Sequence, residues 1–266
     1  MRTWIGTDAA GNRLGVELHR DHTIVAGSTR AGKSNTSRLL LAGAAADTSI
    51  NVVGVDPSGL LLAPFQDAYA AYGCADLVVT GTADLSGATS LLARLVALMD
   101  GRTVQLRASG RDYLEPSPST PTVIVVLEEY AGLLAACEIH DAAVPVSARL
   151  RPVVAGRVGR LLREGAKCQM FLLTIIQRPD ALVLGGGDRA QYARRITHRV
   201  DNADAVRMLN EQASSEDIAR AVAARQGIGL LNEAGEPLRF FRAASMEHAT
   251  YAAWVISKVG PPRSMG

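Results

Sequence analysis

Residues 27–34 read Gly-Ser-Thr-Arg-Ala-Gly-Lys-Ser, the spacing of a phosphate-binding loop: glycine, four residues, then Gly-Lys-Ser. Such a loop works only between a strand and a helix, where successive backbone N–H groups and the positive helix end converge on one anion. Both flanks are present. The apolar run His22–Ala26 reads as a strand, and the stretch from Lys33 to about Ala46 as a helix. Gly27 and Gly32 allow the tight curl. Lys33 is expected to reach the β- and γ-phosphates of a bound nucleotide, and the Ser34 hydroxyl to ligate Mg²⁺. The expected nucleotide-contacting set is Gly27, Ser28, Thr29, Arg30, Ala31, Gly32, Lys33, Ser34 and Asn35. Arg30 stands where such loops often carry glycine and reads either as solvated or as facing the nucleotide or a neighbouring subunit.

The remaining chain alternates strands and helices. Trp4–Leu18 reads as a β-hairpin split by Ala-Ala-Gly-Asn. Ile50–Val55, Asp76–Thr80, Val123–Leu127 and Gln169–Ile176 read as further strands, with shorter ones at Arg195–Val200, Ile228–Leu231 and Leu238–Phe241. Leu91, Leu92, Leu95 and Leu98 fall at helical spacing within Ser86–Arg107, and Pro145–Lys167 and Ala203–Asn210 also read as helical. Three prolines in Glu115–Pro121 demand a surface loop. The pattern predicts an α/β fold with a mostly parallel central sheet and a short N-terminal β-hairpin.

At 266 residues, with 48% hydrophobic and 20% charged side chains, the chain is neither disordered nor in need of staples. The formal charge of +2 does not by itself announce a nucleic-acid binder. Lys33, Lys167 and Lys258 are the only lysines, so nearly all cations are arginines, which suit phosphate contact through their planar fork of donors. Cys74, Cys137 and Cys168 lack metal-ligand spacing and read as buried apolar residues of a reducing compartment. The longest apolar runs are far below the ~18 residues of a membrane helix. A cytoplasmic protein is expected, with any membrane role coming through a partner.

Two features extend the phosphate loop into a candidate hydrolytic site. Val123–Leu127 ends in Glu128-Glu129, which places two carboxylates beside the loop if the two strands are neighbours. Glu128 is assigned to the metal and Glu129 to the attacking water; the alternative is a solvated helix start, where acids are favoured anyway. Gln177 ends the strand Gln169–Ile176, where its amide can bond the γ-phosphate or the water. Arg194-Arg195 precede the next strand, where a guanidinium could reach the nucleotide of a neighbouring subunit.

Together these residues resemble the motor domain of the FtsK/SpoIIIE family of double-stranded DNA translocases, from about Gly6 to Arg242. The resemblance rests on His22–Asn35, on Val53-Gly-Val-Asp-Pro57, on Val125–Leu133 with its acidic pair, on Ile176-Gln-Arg-Pro179, and on Arg195-Ile196. It implies a RecA-like P-loop NTPase fold, ATP and Mg²⁺ as ligands, a catalytic acid at Glu129, a phosphate sensor at Gln177 and an arginine finger at Arg195. Arg195 has no evident task inside its own subunit by sequence. Glu128 replaces the usual metal-side aspartate, and Ser58 replaces the lysine that often follows Asp-Pro. The Glu-Glu-Tyr sequence and the small size look like TraB-type transfer proteins of actinobacterial plasmids.

The expectation is therefore a ring-shaped, hexameric, ATP-driven motor on double-stranded DNA, serving conjugation, with a membrane-anchored transfer partner as the candidate recruiter. Its expected organisation is a hairpin extension at 1–20, the motor at 21–245, and a C-terminal helix and tail at 246–266. Arg207 and Arg225 are the candidate DNA contacts by analogy, and Arg149–Arg163 reads as a subunit interface or a solvated helix face. The rival readings are a single-strand DNA pumping ATPase of the HerA group, a small-molecule phosphotransferase, and an adaptor that binds nucleotide without turning it over.

Overall fold

The computed structural model describes residues 2–81, 84–179 and 183–263. It begins with strands β1 (Thr3–Asp8), β2 (Arg13–Val16) and β3 (Thr23–Ala26), then helix α1 (Lys33–Ala45). Strand β4 (Ile50–Asp56), helix α2 (Ala63–Ala70), strand β5 (Val78–Thr80) and helix α3 (Leu85–Ser109) follow. The middle of the chain forms β6 (Thr122–Leu127), α4 (Tyr130–Asp141), α5 (Arg151–Glu164) and β7 (Met170–Ile176). The last part forms α6 (Gly186–Arg189), β8 (Arg194–His198), α7 (Ala203–Leu209), α8 (Ser215–Val222), β9 (Ile228–Glu233), β10 (Arg239–Ala243) and α9 (His248–Lys258).

All strands join one sheet in the order β2-β1-β10-β9-β8-β3-β7-β6-β4-β5. The six strands from β8 to β5 pair in parallel. The pairings from β8 outward through β9, β10, β1 and β2 are antiparallel. The sheet is therefore mixed, which corrects the expectation of a mostly parallel one. The cause lies in the connections: β1–β2 and β9–β10 are joined by tight links, which permit only antiparallel pairing, whereas parallel neighbours need a crossover.

The central parallel strands β6 and β7 are apolar nearly throughout. Every residue of β6 and β7 is buried, as expected for strands packed on both faces. Helix α9 packs on both α1 and α2, and α5 packs on both α3 and α4, giving the sheet two helical groups. The N-terminal strand β1 also packs on α1. A smaller apolar cluster of Val200, Ala205, Val206, Ile218, Ala221 and Leu230 lies under α7 and α8. Cys137 and Cys168 are buried as expected, but Cys74 is only half-buried. Among the described residues, no helix is long and apolar enough to cross a membrane.

Candidate active site

The phosphate loop runs from the end of β3 to Gly32, the N-cap of α1. The helix has no side-chain cap and no acid in its first turn, so its unpaired N–H groups and positive end face the loop. Gly27 and Gly32 have φ of 157° and 126°, and space as well as conformation demands glycine there. A Cβ at Gly27 would stand 2.8 Å from His198 Cβ, and one at Gly32 would stand 3.1 Å from His198 Nδ1. Arg30 takes a left-handed φ of 60°, a position that an ordinary side chain rarely adopts. Lys33 Nζ folds back on the loop, donating to the carbonyl oxygens of Gly27 (2.5 Å) and Ser28 (3.3 Å). Burial draws its ammonium below the usual lysine range, partly offset by the carboxylates of Glu129 and Glu128. Thr29, Arg30 and Ser34 are exposed, and Ala31 is buried. The Asn35 side chain points elsewhere: its amide donates to Ala244 O (2.6 Å) and accepts from Met246 N (2.8 Å), tying α1 to the segment before α9.

The expected neighbourhood of the acidic strand and the loop takes a different form. Strand β7 stands between β3 and β6, so the loop and the two glutamates are not on adjacent strands. The register nevertheless levels the ends. Ala26 pairs with Ile176, so Gln177 comes level with Gly27. Leu127 pairs with Thr174 on the other side, so Glu129 comes level with Ile176. Gln177 is exposed and lies between the phosphate loop and the acids. Arg178, beside it, is ion-paired with Asp201.

Glu128 continues the ladder, with its N–H donating to Val55 O at 2.9 Å. Burial, reinforced by the carboxylates of Asp56 and Glu129, pushes its carboxyl up to about 7. Its Oε2 is buried with no hydrogen-bond partner among the described residues. Glu129 has a left-handed φ of 47° and is the N-cap of α4, which turns the chain sharply at the strand end. A strained backbone of this kind persists only where its surroundings fix it, and functional sites collect such residues. Asp56, at the end of β4, is fully buried. One of its oxygens accepts from Ser58 N, Ser58 Oγ and Gly59 N, and the other from Leu61 N and Leu62 N. Asp56 thus builds the wall of the site. A cleft of about 290 Å³ lies there, lined by Ser34, Ser37, Arg38, Ser58, Glu128 and His248.

The arginines are placed differently from the sequence expectation. Arg194 and Arg195 begin β8 rather than precede it. Arg194 is buried in ion pairs with Asp21 (3.0 Å) and Glu233 (2.9 Å). Arg195 does have a task inside its own subunit. Its guanidinium donates to the main-chain oxygens of Tyr192 (3.0 Å), Leu209 (2.7 Å) and Arg189 (3.5 Å). An arginine carries five N–H donors, so two remain for any other partner. Arg207 on α7 is exposed and paired with Asp204 at 3.1 Å, and Arg225 is exposed just beyond α8.

His198 went unnoticed in the sequence. It is fully buried, close-packed behind both loop glycines, and bonded to Thr36 Oγ1 (2.9 Å) and Ile228 O (3.0 Å). The polar run Arg194-Arg-Ile-Thr-His-Arg-Val200 gives no sign that this histidine is buried, and the partners a buried histidine needs lie on distant segments.

A family model described as FtsK/SpoIIIE family matches residues 4–227. Among curated proteins, the chain is similar to the DNA translocase FtsK of Lactiplantibacillus plantarum, 24% identical over 267 residues, covering 92% of this chain and 30% of that protein. The chain therefore spans less than a third of the length of this curated relative. Among solved structures, it is similar to the cytoplasmic domain of the Type VII secretion ATPase EccC of Thermomonospora curvata. That match has a TM-score of 0.71 at 24% identity and covers 98% of this chain and 31% of the other. The conjugation coupling protein TcpA of pCW3, in a monomer form with ATPγS, matches with a TM-score of 0.71 at 19% identity, covering 96% of this chain and 70% of the other. At these identities the structural likeness establishes the fold, an α/β architecture of helices around a mixed sheet.

Proposed function

The chain belongs to the FtsK/SpoIIIE family, and on that premise we propose that it is an ATP-hydrolysing, ring-forming motor whose substrate is double-stranded DNA. Its proposed setting is conjugative movement of a plasmid or integrative element, in the cytoplasm, as a homo-oligomer of hexameric form recruited by a membrane-anchored partner. One observation carries the hydrolytic part of this reading. Lys33, Gln177 and the pair Glu128-Glu129 lie at the same ends of three consecutive parallel strands or just beyond them, the place where open α/β sheets bind ligands.

In this reading the N–H groups of the loop and the Lys33 ammonium bind the phosphates. Water attacks the γ-phosphorus, a new P–O bond forms, and ADP leaves. The Glu129 carboxylate orients that water and receives its proton. Gln177 hydrogen-bonds the γ-phosphate or the water and so distinguishes the loaded site from the spent one. Ser34 and Glu128 would hold Mg²⁺. The orphaned Oε2 of Glu128 fits that role, since a buried oxygen without a donor suits a hydrated cation. When bound, the metal supplies charge neutralisation between the phosphoryl oxygens.

A second reading, a motor acting on a protein, is favoured by the charge of the segment that contains α7 and α8. Residues 201–226 carry five acids (Asp201, Asp204, Glu211, Glu216, Asp217) against three arginines (Arg207, Arg220, Arg225). Arg207 is already paired, and Arg220 sits over the Phe240 ring at 4.0 Å. Such a surface does little for DNA phosphates. The deciding experiment measures ATPase rate with no DNA, single strands and duplex, with mass by light scattering. The DNA reading expects a larger assembly and stimulation by duplex, with binding that weakens steeply as salt rises. Turnover indifferent to every DNA would leave the protein substrate standing. Arg207→Ala and Arg225→Ala should each lower the salt slope by about one if these residues touch phosphates.

A further inference from the structure

The chain leaves β8 after His198 and re-enters the sheet at Ile228, and both ends of this excursion are bonded to the phosphate loop. At the outgoing end, Arg199 O accepts from Ser28 N (2.8 Å) and from Ser28 Oγ (3.1 Å). At the returning end, Gly227 N donates to Ala31 O (3.0 Å). Between these two anchors lie α7 and α8.

His198 joins both anchors to the helix that the loop opens. Its Nδ1 lies 3.0 Å from Ile228 O, and its Nε2 lies 2.9 Å from Thr36 Oγ1 on α1. A carbonyl oxygen can only accept, so Nδ1 carries the proton. Nε2 is then the acceptor, and the Thr36 hydroxyl donates to it. One neutral tautomer satisfies both bonds. Burial pushes the imidazole down to about 4, which keeps it in that form near neutrality. The same residue backs both glycines, Gly27 with its Cβ and Gly32 with its ring, and the ring meets Phe241 edge-on, with centroids 6.1 Å apart.

The end of α7 is fixed to the same strands. Arg195 donates to Leu209 O, Asn210 Nδ2 to Thr197 Oγ1 (3.0 Å), and Gln212 Nε2 to Asn232 Oδ1 (2.8 Å). Direct hydrogen bonds thus run from the loop to β8 and β9 and to the helices between them.

We propose that His198 is a positioning residue of the nucleotide site: by bridging Thr36 and Ile228 behind the loop glycines, it sets the loop's shape and makes the α7–α8 hairpin follow the state of the site. This rests on the reading of residues 27–34 as a nucleotide loop. The hairpin is then the element through which the motor signals nucleotide state to whatever it contacts.

The test compares wild type with Thr36→Val, His198→Phe and His198→Gln. It measures affinity for a fluorescent ATP analogue with Mg²⁺, and amide hydrogen exchange over residues 203–222 with and without saturating ATPγS. In wild type, ATPγS should change exchange in that segment. Thr36→Val and His198→Phe should bind about fivefold to tenfold more weakly, the factor that one ordinary buried hydrogen bond carries. At saturation both should lose most of the nucleotide-dependent exchange difference, and His198→Gln, which keeps a donor and an acceptor, should recover part of it. A purely structural role would lower stability yet leave that difference intact at saturation. Thr36→Val keeps the side-chain volume and the imidazole, so it carries the test even if His198→Phe does not fold. Wild-type affinity in Thr36→Val, or a full exchange difference in Thr36→Val and in whichever His198 variants fold, overturns the proposal. Failure of wild type itself to bind the analogue would instead overturn the nucleotide-loop reading, and it shows before any variant is made.

Discussion

Lys33 Nζ lies 2.5 Å from the carbonyl oxygen of Gly27, so the ammonium closes the loop on itself across the space a phosphate chain would take. Those contacts are made to main-chain oxygens at the edge of the fold, and little apolar packing depends on them. Lys33→Ala should therefore reduce ATP affinity or turnover by about tenfold to a hundredfold, the scale of one or two charge-assisted hydrogen bonds. Its unfolding free energy should stay within about 1 kcal/mol of wild type. Titration with a fluorescent nucleotide and a urea melt give both values. Wild-type hydrolysis by the variant would sink the phosphate-loop assignment.

Glu128 and Glu129 are neighbours in different situations, and their amide variants should separate. Glu128 is held in the sheet ladder with a buried, unpartnered oxygen, whereas Glu129 turns out of the strand with a left-handed backbone. Glu129→Gln should bind ATP and hydrolyse it about 10²-fold to 10⁴-fold more slowly, the range for a lost general base. Glu128→Gln should chiefly raise the Mg²⁺ concentration needed for binding. Binding measured across a Mg²⁺ titration, beside single-turnover hydrolysis, distinguishes them. The reverse pattern would exchange the two roles.

What could be read from the sequence was what is local along the chain. The loop Gly27–Ser34, the run Val123–Leu127 and the leucine spacing of α3 each contain their own signal, and all three lie where the spacing put them. Helix α2 went unread in the sequence; its Pro64 sits in the first turn, where the ring and missing N–H are harmless. Helix α8 was missed although Ser214 and Asp217 form a reciprocal cap. Strand order was beyond reach. The insertion of β7 between β3 and β6 and the place of His198 behind the loop depend on contacts between distant segments. For the same reason Arg195 looked free, because its acceptors at Tyr192, Leu209 and Arg189 come together only in the fold.

Those acceptors change what Arg195→Ala should do. Its loss removes a donor from three main-chain oxygens, one of them that of the last residue of α7, although Arg189 O keeps Tyr192 N (3.2 Å) and Leu209 O keeps Asn232 Nδ2 (3.5 Å). Destabilisation of about 1–3 kcal/mol should appear with no nucleotide present. A trans role for the two remaining donors is tested by mixing Arg195→Ala with Lys33→Ala subunits. A Lys33→Ala subunit can still lend its arginine, and an Arg195→Ala subunit can still bind ATP. Partial recovery of turnover in the mixture supports a finger acting between subunits. A mixture as inactive as its components, with wild type shown to be hexameric, leaves Arg195 a structural residue alone.

Acid sensitivity should come first from histidine rather than from carboxylates. Burial depresses both His22 and His198 from 6.5 to about 4. In the unfolded chain both titrate near 6.5, so between that pH and about 4 the unfolded state takes up protons that the folded state refuses. The stability these groups contribute is complete above about 6.5 and is lost as pH falls toward 4, with a slope of up to about 1.4 kcal/mol per pH unit for each histidine. Half-buried His19 is shifted in the same direction and adds a smaller share. Urea unfolding between pH 7.5 and 5 should show stability falling toward the acid end. Glu128, whose carboxyl is pushed up to about 7, offsets part of the two histidines' slope by taking up a proton in the folded state. His198→Phe should remove roughly one histidine's share of that slope, whatever it does to the absolute stability. A slope unchanged by the substitution would mean that His198 is already protonated in the folded protein, and the neutral tautomer bridging Thr36 and Ile228 would then be wrong.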